Sequence, residues 1–322
     1  MYAHIIPRVY QKQWHSSNGS GNVYYYDKAN ISQPNSPNGG NVGNHFGEID
    51  EYFITTKDHW FGITSNSIDE LESYFNKEFE NKWNDIVNSN LYSFICDQTF
   101  IKGQLNTICS SNLQNTPFNG YLLEFIVIQF LRSFDNFMKL DNGIIDGLLQ
   151  LSFEIAKENG YPISESNLSA LKNDMDYKRA VWKSILLDCK NKSNQSSFLN
   201  LVMKGLANCN PTFFAIKNSS ARFILSDNPV IWNAGSIKKY PELESGIYFA
   251  ITPSLMVAYL RYPDDTLKEG DAACLIANDD FVKHINYLLH NQCYKEIGFM
   301  NKIVNNHIVK SPSSQVHWNS MF

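Results

Sequence analysis

Two short polar clusters, far apart in the sequence, combine residue types that perform acid–base chemistry and bind anions. The first is His4-Ile5-Ile6-Pro7-Arg8-Val9-Tyr10, and the second is Arg222-Phe223-Ile224-Leu225-Ser226-Asp227-Asn228-Pro229-Val230. Each cluster sets reactive side chains beside a proline at the edge of an apolar run. Strands tend to end at such edges, where side chains can point into a cleft.

The first cluster offers a histidine and an arginine. Histidine is the side chain best suited to proton transfer near neutral pH, so His4 is a candidate general acid or base. Arg8 carries a planar guanidinium fork that matches phosphate or carboxylate oxygens. The alternative is that His4 has no catalytic role and is either a surface residue or a core residue whose polar atoms are satisfied. The residue types alone leave these interpretations open.

The second cluster places Asp227 directly after an apolar strand. A carboxylate there could orient a histidine, accept a proton or bind a metal, with Ser226 and Asn228 as substrate-binding neighbours. The alternative is an Asx-turn, because Asp and Asn before proline often hydrogen-bond their own backbone. Both interpretations stay open for Asp227.

A central helix, expected over residues 119–139, supplies further candidates. At about 100° per residue, Glu124, Gln129, Arg132 and Asp135 fall on one polar arc, but Phe125 and Ile128 fall within the same arc. Two apolar side chains among the charged residues are unfavourable on a helix face that is fully exposed to solvent. We therefore expect Gln129 and Arg132 to line a cleft and bind substrate; a surface stripe with two stray apolar residues is the alternative.

The elements that would position these residues alternate between strand and helix patterns. We expect strands at 22–27 and 51–56, and helices that begin at a Ser67-Ile68-Asp69-Glu70 capping box, cover 119–139 and 142–158, and extend over 164–190 and 196–208. Residues 212–217 and 222–225 form a predicted hairpin, and Gly246 to Ile251 pairs with Ser254 to Tyr262. Asn278 is the expected N-cap of a last helix.

This order predicts an α+β protein with a central helical body and a small mixed or antiparallel sheet built from N-terminal and C-terminal strands. We expect one domain over 1–322, with a β-rich segment at 1–60, the helical body at 61–210, and hairpins and the C-terminal helix at 211–322. Neither terminal β segment has enough strands to be stable alone, so the two are expected to share a sheet.

Composition excludes several function classes. The net charge of −5 argues against a broad surface for duplex nucleic acid, although a local basic groove stays open. The N-terminus lacks a signal-peptide pattern, and the longest apolar stretch, at 121–134, is interrupted by polar residues. We therefore predict a cytoplasmic protein with no membrane partner. The six cysteines have no zinc-site spacing and are expected to form no disulfide.

The two clusters and the central helix together resemble one bacterial family, the domain-of-unknown-function 4238 family. The similarity lies in the His4 to Tyr10 opening, in Gln129-x-x-Arg132-Ser133, in Ser226-Asp227-Asn228-Pro229, in Ile251-Thr252-Pro253-Ser254 and in Asn286. The chain departs from the family pattern at Gln11, Ser133 and Leu225. The resemblance implies that the three clusters belong together and implies no activity.

On these residues we expect an intracellular, enzyme-like protein that acts on a phosphate-bearing substrate. A nuclease or nucleotide-processing effector in phage defence or a toxin system fits, with His4 and Asp227 as catalytic residues. Arg8, Gln129, Arg132, Ser226 and Asn228 would bind substrate. The partner would be a nucleic acid or nucleotide; the sequence predicts no dedicated metal site and leaves a divalent metal cofactor open. The alternatives are a non-catalytic ligand-sensing or protein-interaction module, and clusters that only lock turns.

Overall fold

A computed structural model describes residues 2–4, 6–15, 22–30, 40–41, 46–49, 54–55, 58, 63, 69–87, 107–109, 117–138, 142–158, 160, 168–190, 198–206, 209–216, 221–233, 245–261 and 272–300. The strands are β1 (Tyr2–His4), β2 (Tyr24–Asp27), β3 (Gly47–Ile49), β4 (Thr107–Cys109), β5 (Asn210–Ala215), β6 (Leu225–Ser226), β7 (Val230–Asn233), β8 (Gly246–Thr252), β9 (Leu255–Leu260), β10 (Ala272–Ile276) and β11 (Glu296–Phe299).

The helices are α1 (Arg8–Gln11), α2 (Glu70–Phe75), α3 (Trp83–Val87), α4 (Pro117–Leu131), α5 (Phe134–Phe137), α6 (Asn142–Glu158), α7 (Leu168–Leu171), α8 (Met175–Asp188), α9 (Phe198–Leu206) and α10 (Asp279–Gln292). A 3-10 turn (Lys12–Trp14) follows α1, and a π-helical segment (Asn76–Glu80) follows α2. In this described part, no helix combines the length and the apolar character needed to cross a membrane.

The larger sheet has six strands in the order β4-β10-β5-β9-β8-β7. All neighbours are antiparallel except β10 and β5, which are parallel. β5 and β9 are buried along their whole length, because they occupy the middle of this sheet. The turn Pro253-Ser254 joins β8 to β9, which confirms the hairpin predicted from the sequence.

The hairpin predicted between 212–217 and 222–225 is wrong. β5 pairs with β9 on one side and with β10 on the other, so neither of its edges is open to residues 222–225. Residues 221–224 form no strand and lie beside α10 instead. Local alternation predicts a strand correctly here, but it does not identify the strand's partner.

A second sheet, of three antiparallel strands, has the order β2-β11-β6. The fold is therefore α+β, with helices and a sheet to which both N-terminal and C-terminal strands contribute. The strands expected to share one sheet are divided between two. β2 and β6 belong to the three-stranded sheet, whereas β8 and β9 belong to the six-stranded sheet. Of the strand predicted at 51–56, only Ile54 and Thr55 are described, and neither is in a strand.

The helical body follows the predicted helices, with three interruptions. The helix expected from the Ser67 capping box is described from Asp69 onward, since Ser67 and Ile68 lie outside the described residues, and it is interrupted by a turn at Asn81-Lys82 before α3. The helix predicted over 119–139 ends at Leu131 and restarts at Phe134, because Ser133 adopts an extended backbone and caps α5 by accepting the Asn136 N–H. The helix predicted over 164–190 divides in the same way at Asp174, which caps α8. Asn278 caps α10 as predicted, with its side chain accepting the Phe281 N–H.

Candidate functional site

The break between α4 and α5 lies inside the protein. Gln129 and Arg132 are each only 2% exposed, and Ser133 and Asn136 are buried beside them. Phe125 and Ile128, the two apolar residues on the same arc, are buried as well. The part of the polar arc that carries Gln129 and Arg132 is therefore covered by protein, whereas Asp135 on the same arc is exposed.

Arg132 projects towards the helical segment of residues 70–80. Its Nη1 lies 3.4 Å from Glu80 Oε1, and its Nη2 lies 3.8 Å from Glu72 Oε2. Its guanidinium carbon lies 4.4 Å from the centre of the Phe75 ring. One buried cation thus faces two carboxylates and stacks on an aromatic ring, so its charge is balanced within the protein.

The π-helical segment determines how both glutamates reach Arg132. Asn81 N–H donates to the Asn76 carbonyl, five residues earlier, at 3.0 Å. In a regular α-helix, positions eight apart differ in direction by about 80°. A π-turn inserts one extra residue, so Glu72 and Glu80 are related as positions seven apart in a regular helix and face within ~20° of each other. The local unwinding therefore aims both carboxylates at the same partner.

The Ser-Asp-Asn-Pro cluster meets the α4–α5 break through a buried amide pair. Asn136 Nδ2 donates to Asn228 Oδ1 at 2.8 Å, and Asn228 Nδ2 donates back to Asn136 Oδ1 at 3.0 Å. The Tyr294 hydroxyl lies 2.6 Å from the Ser133 hydroxyl and donates to Asn136 Oδ1 at 3.1 Å. Gln292 Nε2 adds a bond to the Asn228 carbonyl at 2.7 Å.

Asp227 faces the turn between α10 and β11. Its carboxylate accepts the backbone N–H groups of Tyr294, Lys295 and Glu296 at 2.8, 2.7 and 2.8 Å. Burial raises the pKa of this carboxyl above its ordinary value, while the N–H donors act in the opposite direction. Both oxygens thus have partners within the protein, so the carboxylate binds its own chain across a long sequence separation.

Ser226 completes this corner. Its hydroxyl donates to the Leu289 carbonyl at 3.3 Å and accepts the Asn228 N–H at 3.1 Å. It therefore joins α10 to the first turn after β6.

The N-terminal cluster and the 3-10 turn that follows it supply structural contacts. Tyr10 donates its hydroxyl proton to the Ala250 carbonyl at 2.6 Å, and its ring stacks on Phe249 with centroids 4.9 Å apart. Trp14 Nε1 donates to the Phe223 carbonyl at 2.9 Å. Arg8 is exposed. His4 pairs through its backbone with Gly47, and its side chain lies outside the described part of the structure.

The structure thus brings the second cluster and the central helix together and gives each a different set of partners. Ser226, Asp227 and Asn228 gather around Tyr294 and Asn136, while Arg132 turns to Glu72 and Glu80. Sequence reasoning missed all four of these partners; for the two glutamates, the charged positions of the helix after Ser67 were the available signal. Among the described residues, no three His, Cys, Asp or Glu side chains group closely enough to hold a metal ion.

Comparison with known proteins gives one match. The model of the family described as "Protein of unknown function (DUF4238)" matches residues 2–302. A search of curated proteins and a search of solved structures found nothing that matches the chain.

Proposed function

The chain belongs to the domain-of-unknown-function 4238 family, which brings no activity with it, and we propose that this protein is a non-catalytic module that senses a small charged ligand. One observation carries the proposal: Asp227 and Arg132, two of the motif side chains that could do chemistry, are engaged by the protein itself. The Asp227 carboxylate binds three backbone N–H groups, and Arg132 lies between Glu72 and Glu80. A catalytic group needs a lone pair or a proton directed at substrate.

A groove on the outer side of the Arg132-binding helix is the proposed ligand surface. It has a volume of about 520 Å³ and is lined by Glu70, Ser73, Tyr74, Lys77, Glu78 and Lys190. This volume is within the range of small-molecule sites. Two ammonium and two carboxylate groups line it, and Lys190 is paired with Glu70 and Glu78 with Lys82. The ligand we propose carries charges of both signs, such as a zwitterion, and exchanges with these pairs.

The groove and Arg132 contact opposite sides of the same helical segment, residues 70–80. A ligand that moves this segment would also change the distance from Glu72 and Glu80 to Arg132. This shared helix connects ligand binding to the buried motifs and is the reason that we propose sensing.

The test is a thermal-shift screen of free amino acids, dipeptides and nucleotides, followed by mass spectrometry of each bound compound. We expect a ligand that stabilises the wild type, leaves the protein chemically unchanged and no longer stabilises Lys77→Glu. Lys283→Glu, an equally exposed lysine on α10, is the matched control and should keep the response. A stabilising compound that is converted to product would overturn the non-catalytic function.

The proposal of an enzyme that acts on a phosphate-bearing substrate predicts a different outcome. A nuclease or nucleotide-processing effector in defence or toxicity would degrade DNA, RNA or nucleotides when Mg²⁺ or Mn²⁺ is added, and a chelator would stop it. Arg132→Lys or Asp227→Asn would then abolish turnover without changing the melting temperature. For the non-catalytic module we expect a different result: both variants are less stable than the wild type, and neither the variants nor the wild type degrade these compounds.

A further inference from the structure

Three consecutive backbone N–H groups in the turn after α10 point at one place. Those of Tyr294, Lys295 and Glu296 lie 2.8, 2.7 and 2.8 Å from the oxygens of Asp227. Successive N–H groups that converge in this way form an anion-binding concavity, because their partial positive charges add. The carboxylate inside it is 5% exposed, so water does not compete strongly for these donors.

Further hydrogen bonds hold the turn in place. Lys28 Nζ donates to the carbonyls of Asn291 and Cys293 at 2.9 and 2.6 Å, next to the turn. Asp227 N–H also donates to the Glu296 carbonyl at 3.3 Å, so backbone and side chain bind the same turn. The turn is therefore fixed relative to the chain between β6 and β7.

We propose that the turn Tyr294–Glu296 is an anion-binding site whose native occupant is the Asp227 carboxylate. Asp227 is then a positioning residue: it holds the start of β11 against the point at which the chain leaves the three-stranded sheet for the six-stranded one. A small free carboxylate, formate or acetate, binds the same three N–H groups once the Asp227 side chain is removed. This inference does not depend on the proposed ligand-sensing function.

The experiment is chemical rescue of Asp227→Gly with sodium formate, with sodium chloride at equal ionic strength as the reference. We expect the substitution to lower the melting temperature by on the order of 5 °C, and formate to restore part of the loss with a saturating dose response. Asp227→Asn fills the site but turns an amide N–H₂ towards the donors. It should be destabilised and gain nothing from formate.

Asp174→Gly is the matched control. Asp174 also accepts two backbone N–H groups, from Asp176 at 2.8 Å and Tyr177 at 3.2 Å, but it is exposed. Water replaces its carboxylate, so formate should act on this variant no more than on the wild type. If Asp227→Gly does not fold, its refolding yield in formate relative to chloride gives the same comparison. Equal effects of formate on both glycine variants, or wild-type stability of Asp227→Gly, would overturn the proposal.

Discussion

At the scale of single residues, Arg132 shows how burial changes the meaning of a motif. A guanidinium in a cleft would bind phosphate, but here Glu72 and Glu80 supply the negative charge and Phe75 covers its face. An anionic ligand would have to displace two carboxylates from a side chain that is 2% exposed. The geometry therefore gives Arg132 a role in holding α4 to the segment of residues 70–80.

Replacement of Arg132 should destabilise the protein. We expect Arg132→Ala to lower the free energy of unfolding by about 2–4 kcal/mol, below the full value for a buried pair because Glu72 is partly exposed. Arg132→Lys should lower it by about 1–2 kcal/mol, since an ammonium cannot contact both carboxylates and stack on Phe75. Urea denaturation followed by circular dichroism measures both.

Arg179→Lys is the control for this chemical change. Arg179 also stacks on a ring, with its guanidinium carbon 4.4 Å from the Phe134 centroid, but it is only half-buried. Its replacement should change stability by no more than about 0.5 kcal/mol. A different result would support a phosphate-binding role for Arg132: Arg132→Lys keeps wild-type stability but loses the phage restriction or toxicity that the wild type shows in cells.

The buried thiols give a second prediction, on reactivity. Burial raises the pKa of Cys189 to about 12 and raises the pKa of Cys209 less, because Cys209 is only half-buried. Since the thiolate is the reactive form, both thiols are mostly protonated at pH 8 and become more reactive as the pH rises. Iodoacetamide at pH 8 should therefore modify Cys209 before Cys189, as peptide mass spectrometry would show. Faster modification of Cys189 in the folded protein would contradict this assignment.

At the scale of elements, the π-helical segment Asn76–Glu80 accommodates one more residue than an α-helix of the same number of turns. Glu72 and Glu80 are eight positions apart, but the extra residue places them on the same side of the helix, as if they were seven apart in a regular α-helix. π-Turns are frequent at functional sites, and this one also presents the exposed Lys77 to the groove. The same irregularity thus serves the buried ion pairs and the proposed ligand surface.

Deletion of Lys77 should be tolerated. The segment can then become a regular α-helix without rotating the residues that follow, so Glu72 and Glu80 still reach Arg132. We expect the melting temperature to stay within about 3 °C of wild type. Deletion of Ser184, in the middle of the regular helix α8, is the control; it rotates the following turn by about 100° and should unfold the protein. Equal damage from both deletions would show that the π-turn is not a simple one-residue insertion.

At the scale of the whole molecule, β2 from the N-terminal part and β11 from the C-terminal part are neighbours in one sheet. The Ser-Asp-Asn-Pro turn connects β6 of that sheet to β7 of the six-stranded sheet. The two sheets therefore share both a chain crossing and the buried network around Asn228. Such coupling favours unfolding as one unit.

We predict a single unfolding transition, as expected for the one domain inferred over 1–322. Far-UV circular dichroism and tryptophan fluorescence should give the same urea midpoint. Gly298→Ala should lower this midpoint in both signals, because a Cβ there would lie 3.1 Å from Val23 Cγ1 and 3.3 Å from Leu225 Cβ. Gly120→Ala, which meets nothing within 4 Å on α4, should not lower it. Two separated midpoints would divide the chain into two domains.

Local sequence patterns determined the elements whose signals lie within a few residues. Asn278 caps α10, residues 142–158 form α6 as predicted, and the turn Pro253-Ser254 closes the β8–β9 hairpin. The α+β class followed from the same patterns. Helix periodicity, capping and turn chemistry act over short distances, so they can be read before the fold is known.

Tertiary structure alone decided the partners. Arg132 meets Glu80 across 52 positions, Asn136 meets Asn228 across 92, and Ser133 meets Tyr294 across 161. Likewise, β10 pairs with β5 along one edge, so the hairpin expected at 212–225 does not form. A sequence pattern can show that a polar side chain lies on a partly covered face, but its burial and its partner are decided by long-range packing. The motifs could therefore be located from the sequence, whereas what each side chain contacts required the folded chain.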